Sequence, residues 1–212
     1  MGKRFPGLIL RKCKKLCFNM DSKLKLIIDS FGTDRFKANE SLKEYTALKV
    51  GGPAKLLFVS FTNTELTRLI KMCRELKVPF FLFGTGSKMM ISDAGFEGIV
   101  IKNRTKNIQT ISVKGKVTKF GIGVQEALIE VDAGVSINKF CEYLDSQKLE
   151  MMGFLGLPGS IGGNIFLSRF LQASVKSIKI LDSVSDIEQI SAEELNPKKH
   201  IVLSAVFRVK AK

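Results

Sequence analysis

The sequence is short of the residues that build metal and proton-transfer centres. Its 212 residues include one histidine, His200, and four cysteines. Cys13 and Cys17 have the CxxxC spacing of half a metal site, but no second close pair and no further histidine accompany them, which argues against a four-ligand zinc centre. Reduced thiols in a cytoplasmic protein are the expectation. No apolar run nears the roughly 20 residues that span a bilayer, so no membrane span is expected. Acidic residues are also scarce: 20 Asp and Glu stand against 34 Lys and Arg, for a formal net charge of +14. Such an excess first suggests nucleic acid. Yet only residues 1–20 concentrate it, with Lys3, Arg4, Arg11, Lys12, Lys14 and Lys15 and no acid. Elsewhere bases mix with acids, and no arginine-rich patch interleaved with aromatics forms. A solvated basic surface that steers small anions fits better than a nucleic-acid partner.

What is present suffices for a packed core. Hydrophobic residues make up 45% and charged residues 25%, the proportions of a globular domain or two small lobes. Residues 1–19 read as a basic upstream extension or a misassigned start, with Met20 as the natural first residue. Their apolar stretch Pro6–Leu10 is too short for a signal peptide. Leu24, Ile27, Ile28 and Phe31 recur at helical spacing, with Gly32 as a stop. Leu48–Ala54 and Leu56–Val59 read as strand, glycine turn, strand. Thr64 is the expected cap of a helix from Glu65 to Leu76. Strands are expected at 80–83, 99–101, 108–113, 117–122, 127–132, 177–181 and 201–209. Ser136 should cap a helix over 137–147, and Ser191–Glu194 reads as a short helical cap. The order is mixed α+β, without the regular alternation of a doubly wound sheet.

Two glycine-rich segments interrupt this pattern. Gly84-Thr85-Gly86-Ser87-Lys88 follows a short apolar strand and is followed by Asp93-Ala94-Gly95-Phe96-Glu97-Gly98. It lacks the Gly-Lys-Ser/Thr ending of a Walker loop and the third glycine of a Rossmann fingerprint. Pro158-Gly159-Ser160-Ile161-Gly162-Gly163-Asn164 lies within an apolar stretch that includes Phe154, Leu155, Ile165 and Phe166. Glycine permits positive φ and close approach of backbone amides, and successive bare amides form anion-binding concavities. Two such turns suggest a diphosphate gripped from two sides; the alternatives are a plain turn for the first and a tight corner for the second.

Four segments together resemble one family. Tyr45–Ala54, the Gly84–Gly98 segment read as G-x-G-S-x5-D-x-G-F-x-G, Val131-Asp132-Ala133-Gly134-Val135, and Gly156–Gly163 match the UDP-N-acetylenolpyruvoylglucosamine reductases (the MurB family) in order and spacing, over roughly residues 20–210. The resemblance implies an α+β fold: the FAD-binding fold of the vanillyl-alcohol-oxidase (PCMH) type, with lobes at 20–105 and 106–212. It places Gly84, Thr85, Gly86, Ser87, Lys88 and Asp93 on one side of the cofactor. Gly134, Pro158, Gly159, Ser160, Ile161, Gly163 and Asn164 lie on the other, with Ile201 at the adenine end. Lys88 stands where family members usually carry asparagine. The family passes hydride from NADPH through flavin to the enolpyruvyl group of a UDP-sugar, a step of cell-wall precursor synthesis in the cytoplasm.

The resemblance also marks what has no counterpart. The family's tyr-arg-x-ser-x-phe motif, which carries the proton-donating serine, is replaced by Leu195-Asn196-Pro197-Lys198-Lys199-His200. Ser204 aligns with a structural strand residue. The third, substrate-binding domain is expected to be absent or separately encoded. Glu126, Glu130, Asp132, Glu142 and Asp182 read as scattered, solvated acids, and His200 as a surface residue. The expected function is an FAD-binding oxidoreductase of reductase type acting on a nucleotide-sugar. The alternatives are a non-catalytic FAD-binding protein and a truncated gene product.

Overall fold

The computed structural model describes residues 21–118, 121–151 and 156–212. The basic extension 1–19, Met20, the Cys13/Cys17 pair, Phe154 and Leu155 lie outside them. Helix α1 (Ser22–Phe31) starts where the Asp21 carboxylate accepts the Lys23 N–H, and it stops at Gly32, whose φ of +92° only glycine adopts easily. Strand β1 (Phe36–Ser41) was not expected from the sequence. Residues 46–52 form a loop rather than the expected first strand, and β2 is Pro53–Ser60. Helix α2 (Asn63–Glu75) is capped by Thr62, two residues before the expected cap. Thr62 Oγ1 accepts the Glu65 N–H at 3.1 Å, while Glu65 Oε2 reaches back to the Phe61 N–H at 3.1 Å, a reciprocal arrangement that satisfies two otherwise free donors.

Strands β3 (Phe80–Phe83) and β4 (Phe96–Asn103) complete a four-stranded sheet of order β1-β2-β4-β3, in which β1 is antiparallel to β2 and the other pairs are parallel. Both faces of β4 are covered. Ile99 and Ile101 pack beneath α1 and α2, while Val100 faces Leu42, Leu57 and Phe83. That is why its central Ile99-Val100-Ile101 is continuously apolar rather than alternating.

The second sheet is antiparallel. Strands β5 (Ile108–Thr118) and β6 (Gly121–Asp132) form one long hairpin where three strands were expected. Helix α3 (Ile137–Ser146) is capped by Ser136 as expected, with Ile137, Phe140 and Leu144 buried. Then follow β7 (Leu149–Glu150), α4 (Ile161–Leu167), α5 (Arg169–Ser174), β8 (Val175–Leu181), β9 (Ile187–Ile190) and β10 (Ile201–Ala211). The sheet order is β5-β6-β10-β8-β9, with β7 also on β10. Ser191–Glu194 is not helical: Glu194 Oε2 accepts the Ser191 N–H and hydroxyl and closes a local turn.

The two sheets share a core. Strand alternation sends Val202 into the second core and Leu203 into the first; the register shift against β8 between Val202 and Ser204 then reverses the phase, so that Ala205 and Phe207 join Val202 in the second core. Leu203 and Leu181 are 1% and 0% exposed among α1, α2, β2 and β4. Each buried leucine contributes about 1.5–3 kcal/mol. Polar ties reinforce the joint. Asn63 Nδ2 donates to Asp132 Oδ1 at 2.7 Å, and Arg74 donates to Ser185 Oγ at 2.9 Å and to the Asp182 carbonyl. Among the described residues no helix is long and apolar enough to cross a membrane.

Candidate functional site

Loop Gly84–Lys88 leaves the end of β3 and is held from behind. Gly86 is buried with φ of +77°, and a Cβ there would lie 1.9 Å from the Tyr45 carbonyl oxygen. The Ala47 N–H donates to the Gly86 carbonyl at 3.3 Å. Within the described residues, no protein acceptor takes the N–H of any residue from Gly84 to Met89. Gly86 and Met89 are buried and Gly84 and Ser87 half-buried, where amides are normally paired; such unpaired amides in a glycine loop form a cradle for an anion.

The second glycine loop divides its amides. The Ile161 N–H donates to Val135 O at 2.8 Å and that of Gly162 to Ala133 O at 2.9 Å, so both are spent on the turn between β6 and α3. The N–H groups of Gly159, Ser160 and Gly163 have no such acceptor among the described residues. Asn164 shapes the loop: its Nδ2 donates to Pro158 O at 3.1 Å and Ser160 O at 3.0 Å. The loop then becomes α4, because Ile161, Asn164 and Ile165 form one buried face.

The two loops meet. A Cβ on Gly84 would lie 2.2 Å from Ser160 Oγ, so only glycine allows this approach. Lys88 Nζ donates to Asn164 Oδ1 at 2.8 Å, tying one loop to the other. Two adjoining hollows open around this contact. One, of about 200 Å³, is lined by residues of Gly84–Met89 with Gly159, Ser160, Gly163 and Asn164. The other, of about 250 Å³, continues along Leu82, Phe166, Ile201 and Val202. Gly84, Thr85, Gly86, Ser87, Lys88, Gly159, Ser160, Gly163, Asn164 and Ile201 thus line one cleft between the sheets.

Four anticipated residues lie elsewhere. Asp93 is exposed and outside the cleft lining; its carbonyl presses on Gly52, where a Cβ would lie 2.1 Å away. Pro158 lies beside the cleft and accepts from Asn164. The side chain of Ile161 is 0% exposed in the second core. Gly134 lines a different hollow, described below. His200, by contrast, is not the surface residue expected from its lysine neighbours. It is half-buried, its Nδ1 accepts the Asn196 N–H at 3.2 Å, and it lines the larger hollow. Its place at the start of β10, one residue before Ile201, was the available signal.

Two acids also depart from the solvated expectation. Asp132 is 8% exposed and accepts from Asn63 and, at 2.9 Å, from the Asn107 N–H. Burial pushes its carboxyl above the usual aspartate range, against the pull of those two hydrogen bonds. Glu130 accepts from Ser204 Oγ at 2.6 Å and pairs with Lys179 at 3.3 Å. Those contacts, the serine's first, hold its carboxyl below the usual glutamate range. Ser204 is 2% exposed, so its hydroxyl is committed to this strand-to-strand bond. Among the described residues no three His, Cys, Asp or Glu side chains group to hold a metal ion.

A third hollow, of about 700 Å³, opens at the carboxyl end of β4 and the start of α3. It shares only Gly84, Thr85 and Asn103 with the cleft. Lys102, Arg104, Lys106 and Lys139 line it, and no carboxylate does. Lys102 Nζ lies 4.7 Å from the Tyr45 ring centroid. Burial, then the neighbouring Arg104 and Lys37, holds its ammonium below the usual lysine range.

Residues 55–168 match the FAD binding domain family. The chain is similar to the UDP-N-acetylenolpyruvoylglucosamine reductase of Clostridium tetani, at 29% identity over 198 residues, covering 86% of this chain and 60% of that protein. Among solved structures it is similar to the UDP-N-acetylenolpyruvylglucosamine reductase (MurB) of Thermus caldophilus, with a TM-score of 0.61 and 23% identity over 82% of this chain and 62% of that one. It is also similar to p-cresol methylhydroxylase, with a TM-score of 0.61 and 12% identity over 91% of this chain and 44% of that one. The chain spans 50–60% of the length of the first curated relatives it matches. Its two-sheet α+β architecture is the FAD-binding fold of the vanillyl-alcohol-oxidase type.

Proposed function

This chain belongs to the FAD binding domain family, and from that premise we propose that the cleft between its two sheets holds FAD with the pyrophosphate on its loop amides. The observation that carries the proposal is the run of N–H groups from Gly84 to Met89 without a protein acceptor, sharing a hollow with the second glycine loop. Gly84, Thr85, Gly86 and Ser87 offer amides and two hydroxyls to one side of the pyrophosphate. Gly159, Ser160 and Gly163 offer amides to the other, and Lys88 adds a fixed positive charge. Ile201, Val202, Phe166 and Leu82 give the larger hollow an apolar wall suited to the adenine ring. Bound FAD would supply hydride acceptance and donation, the chemistry of an oxidoreductase.

In the finer reading, the hydride donor is NADPH and the acceptor is the enolpyruvyl group of UDP-N-acetylglucosamine-enolpyruvate, giving UDP-N-acetylmuramate for peptidoglycan in the cytoplasm. The chain's part in that reaction is to bind and orient, through the loops just named. A second reading, FAD binding without reductase turnover, is favoured by one observation. Ser204 is buried and bonded to Glu130, and Lys88 and His200 are the titratable side chains lining the cleft among the described residues.

Titration of the purified protein with FAD, followed by visible absorbance, tests the common premise. Stoichiometric binding is expected, and a protein that ignores added FAD overturns both readings. Oxidation of NADPH that depends on UDP-N-acetylglucosamine-enolpyruvate supports the reductase. FAD binding with a silent assay leaves the second reading.

A further inference from the structure

The hollow at the carboxyl end of β4 is built for anions and adjoins the FAD cleft at Gly84, Thr85 and Asn103. Lys102, Arg104, Lys106 and Lys139 converge on it from β4, the following segment and the first turn of α3. None of the four forms an ion pair among the described residues. Lysine in the first turn of a helix faces the positive end of the macrodipole, an unfavourable placement without a counter-charge. The half-buried Lys102 ammonium lies over the Tyr45 and Phe83 rings at 4.7 and 5.8 Å, and the charges beside it are those of Arg104 and Lys37. The floor is rigid. Asn103 Oδ1 accepts the Thr105 N–H at 2.9 Å, Thr105 Oγ1 accepts the Gly134 N–H at 3.1 Å, and both side chains are almost fully buried. One wall is aromatic: Phe61 is 52% exposed, with the Arg104 guanidinium 6.0 Å from its ring centroid.

We propose that this hollow is a second nucleotide site, taking a nucleoside diphosphate with its phosphates among Lys102, Lys106 and Lys139 and its base stacked on Phe61 beside Arg104. The chemistry requires both parts. Four cations without an acid select a multiply charged anion, and the exposed ring offers a π-face that inorganic phosphate cannot use. A hollow of about 700 Å³ lies within the range that accommodates such a ligand. The hollow touches the FAD cleft at Gly84, Thr85 and Asn103, but the groups that would hold the nucleotide, Phe61, Lys102, Arg104, Lys106 and Lys139, do not line that cleft.

Isothermal titration with ADP, pyrophosphate and adenosine tests it, on the wild-type protein and on the Lys106→Glu/Lys139→Glu and Phe61→Ala variants. ADP is expected to bind the wild type. It should weaken by more than about tenfold on double charge reversal and by roughly 5- to 100-fold in Phe61→Ala, the range set by one base–aromatic stack. Pyrophosphate should bind Phe61→Ala as well as it binds wild type, and adenosine should bind weakest. FAD titrations of all three proteins should agree, which shows the variants folded. The proposal is overturned by absence of ADP binding, by pyrophosphate matching ADP on the wild type, or by ADP that binds the charge-reversed protein undiminished. Displacement of ADP by one equivalent of FAD would also overturn it, by placing the ADP in the cleft.

Discussion

Replacing Gly86 by alanine tests whether one left-handed residue shapes the first loop. At φ of +77°, an added Cβ would lie 1.9 Å from the Tyr45 oxygen and 3.1 Å from its carbonyl carbon. Placing an L-residue in that region costs about 1–2 kcal/mol. The Tyr45 oxygen would also have to give way, and it is not free to do so. Tyr45 ends the 3-10 turn Leu42–Tyr45, its hydroxyl donates to Glu40 at 2.7 Å, and its ring packs edge-on to Phe83 at 6.4 Å. Overpacking against fixed backbone adds about 1–3 kcal/mol. The sum, about 2–5 kcal/mol, lowers Tm by roughly 4–20 °C for a chain of this size. If the loop shifts instead of the whole fold yielding, the same energy appears as weaker FAD binding. Gly123→Ala is the control: its added Cβ meets nothing within 4 Å, and its effect should stay within about 0.5 kcal/mol. Thermal unfolding by circular dichroism and FAD titration by flavin fluorescence read both quantities. Should Gly86→Ala behave like Gly123→Ala in both assays, the reasoning about this loop is wrong.

Three further perturbations reach other parts of the structure. Leu203→Ala removes a side chain that is 1% exposed and should cost about 2–5 kcal/mol in chemical denaturation, in one cooperative transition; an unchanged midpoint would mean the sheets do not share a core. Lys88→Met breaks the 2.8 Å bond to Asn164 and removes a charge from the cleft. It should weaken FAD roughly 10- to 100-fold, the range for a charge-assisted hydrogen bond, while Tm moves little. For Asp132, the raised folded-state carboxyl means that ionisation opposes folding, so its penalty grows as pH rises from the unfolded value of 3.8 through the raised one. Asp132→Asn should therefore gain stability relative to wild type across that rise, measured by urea midpoints; a pH-independent difference would contradict the buried carboxyl.

The glycine-marked parts of the fold were legible because a missing Cβ has a direct backbone meaning. Gly32 ends α1, and Gly84 and Gly159 lie where the two loops meet. Thr62 and Thr64 are both good caps for α2, and only Glu65, at capping-box spacing from Thr62, decides between them. The β5–β6 hairpin reads as three strands in the sequence because glycine and charge interrupt its exposed face, where no core pattern is required. His200, Asp132 and the Glu130–Ser204 bond were missed for a different reason. Their partners lie on other strands or helices, and polar sequence neighbours say nothing about what a sheet brings alongside. The basic hollow was likewise diluted in a general excess of lysine, since its four cations converge only once β4 and α3 are in place.

Leu181 and Leu203 are contributed by the second sheet yet completed by the helices of the first. Neither half is therefore a portable module. Severing the chain near Arg104 would leave each piece with a sticky, unfinished face, prone to clump or to seek its lost mate. A shuffling event or a protein engineer would have to move both together, and insertions belong in surface loops rather than at the seam.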